Sequence, residues 1–254
     1  MNAVFCLLLL AASPDASSDA QWPGFLGGGR AECSEQTPLA WKPEQVSWNQ
    51  PLPGYGQSSP IVWNDQIFVT SIEGPNKEKC HVAALSLTDG RIFWQHTFNS
   101  SLPAENNNYI SKAAPTPTTD GESVFAFFES GDVVALSLEG KEKWKRSLTA
   151  DYGKLTTRHG LAASPLLSGD ALILLVDHDG PSYLLALDKR TGKTLWKTDR
   201  KSRTSWSSPA LLTFAGQPQI VCSSNGSVDG YSPASGELLW SFDQVDGSTA
   251  NVKM

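Results

Sequence analysis

Four cysteines and four histidines are scattered over 254 residues, too thinly for a disulfide framework or a zinc cage. Cys6 lies in the apolar opening run. Cys33, Cys80 and Cys222 are far apart, with no pair at metal-site spacing and no two cysteines adjacent. Buried free thiols are the expectation, with one remote disulfide as the alternative in an oxidising compartment. An excess of positive charge is also missing. The 20 basic and 26 acidic side chains leave a formal net charge of -6, with no basic footprint that would track a phosphate backbone, so nucleic acid is not an expected partner. The apolar run Val4 to Ala12 is too short to span a bilayer, which speaks against transmembrane insertion. No serine stands in Gly-x-Ser-x-Gly. Gly27-Gly28-Gly29 lacks both a preceding strand and the Gly-Lys-Ser/Thr of a phosphate loop. That stretch reads as a tight surface segment pinned by Trp22 and Phe25.

Residues 1–20 differ in composition from the rest. An apolar run is followed by small and polar residues, and Ser18 and Ala20 stand two apart, as before a secretory cleavage site. The expectation is a signal peptide over 1–20 cut after Ala20, an N-terminal segment over 21–47, and repeats over 48–254.

The repeats organise the chain. Ala186-Leu187-Asp188-Lys189-Arg190-Thr191-Gly192 leads to Trp196. Ala84 to Gly90 leads to Trp94, Ala135 to Gly140 leads to Trp144 in a version one residue shorter, and Tyr231 to Gly236 leads to Trp240. Each copy reads as strand, turn and strand. The four tryptophans are 50, 52 and 44 positions apart, and Trp48 precedes Trp94 by 46. That period suits a recurring four-stranded unit. Proline recurs at Pro60, Pro115, Pro165 and Pro209; lacking a donor, it marks the edge where each unit begins. The fold class is therefore all-β, a β-propeller of four-stranded blades. Four to five blades are expected, from a larger ring of which this chain is a part.

The chain resembles the pyrroloquinoline-quinone-like β-propeller repeat family, whose tryptophan-docking motif is Ala-x-Asp-x-x-Thr-Gly-x-x-x-Trp. Ala186, Asp188, Thr191, Gly192 and Trp196 match throughout. Ala84, Gly90 and Trp94 match with departures at Ser86 and Asp89; Ala135, Gly140 and Trp144 form the short variant; Gly236 and Trp240 keep the end. The opening Trp22-Pro23-x-Phe25 is similar to planctomycete-type members. The resemblance implies rings of seven or eight blades, and it embraces both envelope scaffolds and quinone-dependent alcohol dehydrogenases. The enzymes use vicinal cysteines, a tryptophan platform, a calcium held by Glu and Asn/Asp, and an Asp base.

Without the cysteine pair, the expectation is an exported scaffold without catalysis or cofactor, in the periplasm, envelope or outside the cell. It would bind an envelope protein, peptide or extended ligand. The alternative is an alcohol- or polysaccharide-directed enzyme using quinone with calcium. Candidate binding residues lie on loops between blades: Asn107 and Tyr109, Arg158 and His159, Arg203 and Trp206. They combine amide, cationic and aromatic groups. Asp177-His178-Asp179 before Gly180 reads as a solvated turn rather than a metal site.

Overall fold

The computed structural model describes residues 21–29, 40, 42–105, 109–224 and 226–243. They form four antiparallel sheets. The first contains β1 (Gln21–Trp22), β2 (Ile61–Trp63), β3 (Gln66–Glu73), β4 (Lys79–Ser86) and β5 (Ile92–Asn99), in that spatial order. The second contains β6 (Thr118–Thr119), β7 (Ser123–Phe127), β8 (Asp132–Ser137) and β9 (Glu142–Ser147). The third contains β10 (Leu166–Ser168), β11 (Ala171–Val176), β12 (Ser182–Asp188) and β13 (Thr194–Arg200). The fourth contains β14 (Ala210–Phe214), β15 (Gln217–Ser224), β16 (Ser227–Tyr231) and β17 (Leu238–Phe242). Four consecutive meanders of this kind are blades of a partial propeller.

The two middle strands of the first three sheets are buried on both faces, so they read as continuous apolar runs such as Ala171–Val176. Each joint between neighbouring sheets holds its own core. Phe68, Val82 and Ala84 meet Val124, Ala126 and Val134. Phe125 and Val133 meet Leu172, Leu174 and Leu185. Ile173 and Leu184 meet Ile220 and Cys222. Before the first sheet, Trp48 and Leu52 cover Ile67, Val69, Ala83 and Leu85.

The same local device closes the outer edge of every sheet. A small residue stands opposite the tryptophan: Ala84 with Trp94, Ala135 with Trp144, Ala186 with Trp196, and Gly230 with Trp240. The register slips by one immediately after each pair, a bulge that turns the strand into its Gly-containing loop. A Cβ on Gly230 would sit 2.3 Å from the Trp240 ring, so the indole lies where a larger neighbour would stand.

Each of these rings but the last, and that of Trp48 ahead of the first sheet, reaches the sheet that follows it. A Cβ on Gly90 would meet Trp48 at 2.3 Å, on Gly140 Trp94 at 2.5 Å, on Gly192 Trp144 at 2.7 Å, and on Gly236 Trp196 at 2.4 Å. Those four glycines also have φ between 70° and 84°, the left-handed region that strains side-chain-bearing residues. In each turn the indole N–H donates to a carbonyl: Trp48 to Leu87 (3.1 Å), Trp94 to Leu138 (2.7 Å), Trp144 to Lys189 (2.9 Å) and Trp196 to Pro233 (3.1 Å). The one-residue-shorter loop at Gly140 makes the same contact.

A second lace runs along the inner strands. The Ser59 N–H donates to the Thr116 hydroxyl (3.1 Å), Thr116 N–H to that of Ser164 (3.0 Å), and Ser164 N–H to that of Ser208 (3.0 Å). Each of these residues precedes a proline. The second blade's equivalent of Pro60, Pro165 and Pro209 is therefore Pro117, not the Pro115 expected from the sequence, because Thr116 supplies the hydroxyl in the series. The N-terminal stretch also departs from a plain surface segment. Gln21–Trp22 adds to the inner edge of β2, with Trp22 opposite Val62. The Pro23 carbonyl accepts from Thr119 N–H at 2.8 Å.

Candidate binding face

Antiparallel order places two kinds of loop at one end of the sheets: the hairpins between middle strands, and the connections from each sheet to the next. The tryptophan turns lie at the other end. At the connection end the loops bond to one another: Ser111 N–H to His159 O (2.7 Å), Gln57 N–H to Lys112 O (2.9 Å) and Asp179 N–H to Thr156 O (2.8 Å). A cavity of about 440 Å³ opens there between the first two blades and the connection to the third, walled by Leu102, Ile110 and Leu155 with Lys154, Thr156 and Thr157.

Lys77 and Glu129 also line it, and both are buried. Their side chains pair at 3.3 Å. Lys77 Nζ also donates to Ser111 O (3.3 Å), and Glu129 accepts from Ala113 N–H (3.0 Å). Burial drives the Glu129 carboxyl above its ordinary range, against the opposing pull of Lys77. Such a pair costs solvation, so extra hydrogen bonds are needed to hold it. Here those bonds tie the connection between the first two blades to both hairpins. Sequence reasoning missed both residues, since each reads as an ordinary charged loop residue; the sole hint is a Glu directly after the apolar run Phe125–Phe128.

Several of the expected loop residues come together. His159 Nδ1 donates to the Tyr109 carbonyl (3.2 Å), and its ring lies 5.7 Å from that of Trp206. The Trp206 indole donates to Gly160 O (2.9 Å). Tyr109 is 82% exposed and Arg158 is exposed. Asn107 lies outside the described residues. Arg203 is drawn into the joint between the last two blades, where it reaches Ser227 and, at 3.5 Å, Asp229.

That joint corrects the reading of Asp177-His178-Asp179. The stretch is a turn, but Asp177 and His178 are buried rather than solvated. Asp177 binds Arg200 at 2.9 Å, and Arg200 also pairs with Asp229 at 3.2 Å and contacts Ser224 and Tyr231. Burial opposes the Arg200 charge, yet Asp177 and the other groups around it together hold the guanidinium above its ordinary value. The His178 Nδ1 accepts from Thr156 and Gly180 N–H, so the ring proton is on Nε2, which donates to Pro181 O. Asp179 is exposed and accepts from Thr204 at 2.5 Å. Among the described residues no group of three or more His, Cys, Asp or Glu could hold a metal ion.

The docking residues lie at the opposite end. Ala84, Ala135 and Ala186 face their tryptophans, and Gly90, Gly140, Gly192 and Gly236 receive the preceding ones. Asp188 accepts from the Thr191 hydroxyl and N–H, both at 2.8 Å, which closes the third turn. A larger cavity of about 730 Å³ lies there between the second and third blades. Across that joint Lys189 pairs with Asp120 at 3.1 Å.

A protein-family model, PQQ_2, described as outer membrane protein assembly factor BamB, matches residues 37–158 and 154–252. The chain belongs to that family. BamB of Alkalilimnicola ehrlichii is 22% identical over 185 residues, 72% of this chain and 42% of the relative. Polyvinylalcohol dehydrogenase of a Pseudomonas species is 26% identical over 200 residues, 72% of this chain and 30% of the relative. The chain thus spans less than half the length of these curated relatives. Among solved structures, BamB from Moraxella catarrhalis superposes with a TM-score of 0.55 at 17% identity, covering 80% of this chain and 57% of that one. Quinohemoprotein alcohol dehydrogenase from Comamonas testosteroni gives 0.60 at 13%, covering 92% and 42%. Likeness at that identity shows the shared propeller fold. It does not address the planctomycete-type affinity expected from Trp22-Pro23-x-Phe25.

Among the described residues no two cysteines are adjacent. Cys80 and Cys222 are free, buried thiols on β4 and β15, in the first and fourth sheets. Burial pushes the Cys222 thiol up to about 12, which leaves it unreactive.

Proposed function

We propose that this chain is part of an exported, envelope-located propeller scaffold that holds an extended chain molecule on its connection face without making or breaking a bond. The cavity above Lys77 and Glu129 carries the reading. Its floor is a charge pair satisfied within the protein, so it asks for no counter-ion. Its walls offer apolar contact from Leu102, Ile110 and Leu155, with one exposed ammonium, Lys154, at the side. An extended peptide with an acidic side chain fits that chemistry: apolar atoms leave water, the carboxylate meets Lys154, and the backbone finds the threonine hydroxyls. The family's description as an assembly factor supports this reading.

A second reading is an alcohol-directed, quinone-dependent enzyme. It is favoured by the polyvinylalcohol dehydrogenases among the relatives and the alcohol dehydrogenases among the similar structures.

Titration of the full chain with a short Asp-Leu repeat peptide, and separately with polyvinyl alcohol in the presence of the quinone, calcium and a reducible dye, tests both. The scaffold reading predicts saturable peptide binding weakened about tenfold by Lys154→Glu, roughly 1.4 kcal/mol, and no dye reduction. Alcohol-dependent dye reduction would select the enzyme, and no binding of the peptide would remove the scaffold.

A further inference from the structure

The inner edges of the four sheets are unequally occupied. On β2 the position two residues after the proline is Val62, and it pairs with Trp22. On β6 the same position is Thr119, and its N–H donates to the Pro23 carbonyl. Residues 21–23 thus cap the first two inner edges in sequence. The Gly-rich turn behind them wraps the Trp22 ring: a Cβ on Gly27 would meet it at 2.8 Å, and Gly27 has φ 65°. The motif Trp22-Pro23-x-Phe25 therefore opens on an inner-edge strand, β1, with its own anchor behind it.

The third and fourth edges hold the same position at Leu167 and Leu211. Among the described residues, β10 pairs with β11 and β14 with β15, each on one side. Ladder hydrogen bonds alternate along an antiparallel pair. The two-residue turns Gly169-Asp170 and Ala215-Gly216 make Ser168 and Phe214 the first bonded residues. Counting back, Leu167 and Leu211 turn their N–H and C=O away from the ladder. They face a groove of about 410 Å³ between the two strands and the N-terminal segment, lined on its apolar side by Phe25, Leu26, Pro165, Leu166, Pro209 and Ala210. Leu26 and Leu211 are 42% and 41% exposed on it.

We propose that this groove is a strand-addition site for an extended peptide carrying a large aromatic residue followed by proline. The peptide repeats on β10 and β14 what residues 21–23 do on β2 and β6. Its aromatic residue exchanges backbone bonds with Leu167, and the ring enters the groove beside Phe25 and Leu26. The following proline fixes an extended backbone ahead of it, and its carbonyl accepts from Leu211 N–H. Main-chain bonds supply affinity, and the groove selects the aromatic side chain. The site lies on the inner edges, apart from the cavity holding Lys154, so the two can succeed or fail independently.

The test uses the full chain with a labelled, acetylated Gln-Trp-Pro-Gly-Phe peptide, followed by fluorescence anisotropy and amide hydrogen exchange. Expected are saturable binding, at least tenfold slower exchange at Leu167 and Leu211, and binding at least tenfold weaker when the peptide's tryptophan nitrogen is methylated. Leu211→Pro removes one groove-facing donor on an edge strand, where proline is tolerated, and is expected to weaken binding tenfold, whereas Lys154→Glu leaves it unchanged. If that proline variant does not fold, exchange on the unmodified chain decides. Absence of binding, unchanged exchange at both leucines on saturation, or altered exchange at Val62 and Thr119 instead would overturn the proposal, the last because the peptide would have replaced the chain's own segment.

Discussion

Trp144 and Trp240 hold equivalent places in their sheets and have different surroundings. Trp144 is buried, its indole N–H bonded to Lys189 O and its ring against Gly192. Trp240 is 40% exposed and donates to Gln219 of its own sheet. The difference follows from what lies beyond each ring: the third blade for one, no described blade for the other. Trp144→Ala is expected to destabilise the chain by about 3–5 kcal/mol, the cost of emptying a packed aromatic site. Trp240→Ala should cost no more than about 1 kcal/mol. Urea unfolding of the two variants beside the unmodified chain measures both; equal losses would show that docking on the next turn contributes nothing.

Strands and turns were largely legible because their signals are local. Small residue, bulge, glycine and tryptophan recur at fixed offsets, and each has a steric reason. Less legible were features that need two distant segments. Pro115 and Pro117 look equally suited to begin a blade until Thr116 is seen bonding to Ser59 and Ser164. The two-residue β1 has no pattern of its own and exists because β2 offers an edge. Buried charge was the least legible of all. Asp177 reads as part of a solvated turn and nothing local marks Lys77, Glu129 or Arg200, yet each meets its partner between or beneath loops. At the joint of the third and fourth sheets, Arg200 stands between Asp177 and Asp229. Arg200→Ala would leave two buried carboxylates facing each other, with an expected cost of about 3–5 kcal/mol. The thermal transition of that variant should fall, and the loss should lessen when Asp229→Asn is added. An additive double variant would show that the pair is not coupled.

Across the whole molecule, two laces hold the blades in register, tryptophans at the outer edge and hydroxyls at the inner one. The tryptophans lie at the far end from the connection face, and the hydroxyls lie where each connection enters its inner strand, so the loop tips between can vary without loosening the sheets. That separation suits a binding surface built on a rigid repeat. It also accounts for one fold carrying both assembly factors and alcohol dehydrogenases. Toward the chain's far side, the fourth sheet exposes Leu212, Phe214, Leu239 and Phe242, whereas the middle strands of the preceding sheets are enclosed. The most direct measurement is amide hydrogen exchange of the full chain with and without saturating Asp-Leu peptide. The account predicts slowed exchange at Ser130, Thr156, Thr157 and Gly160, around the cavity, with Gly90, Gly140 and Gly192 unchanged. Protection confined to the tryptophan turns, or none anywhere, would contradict it.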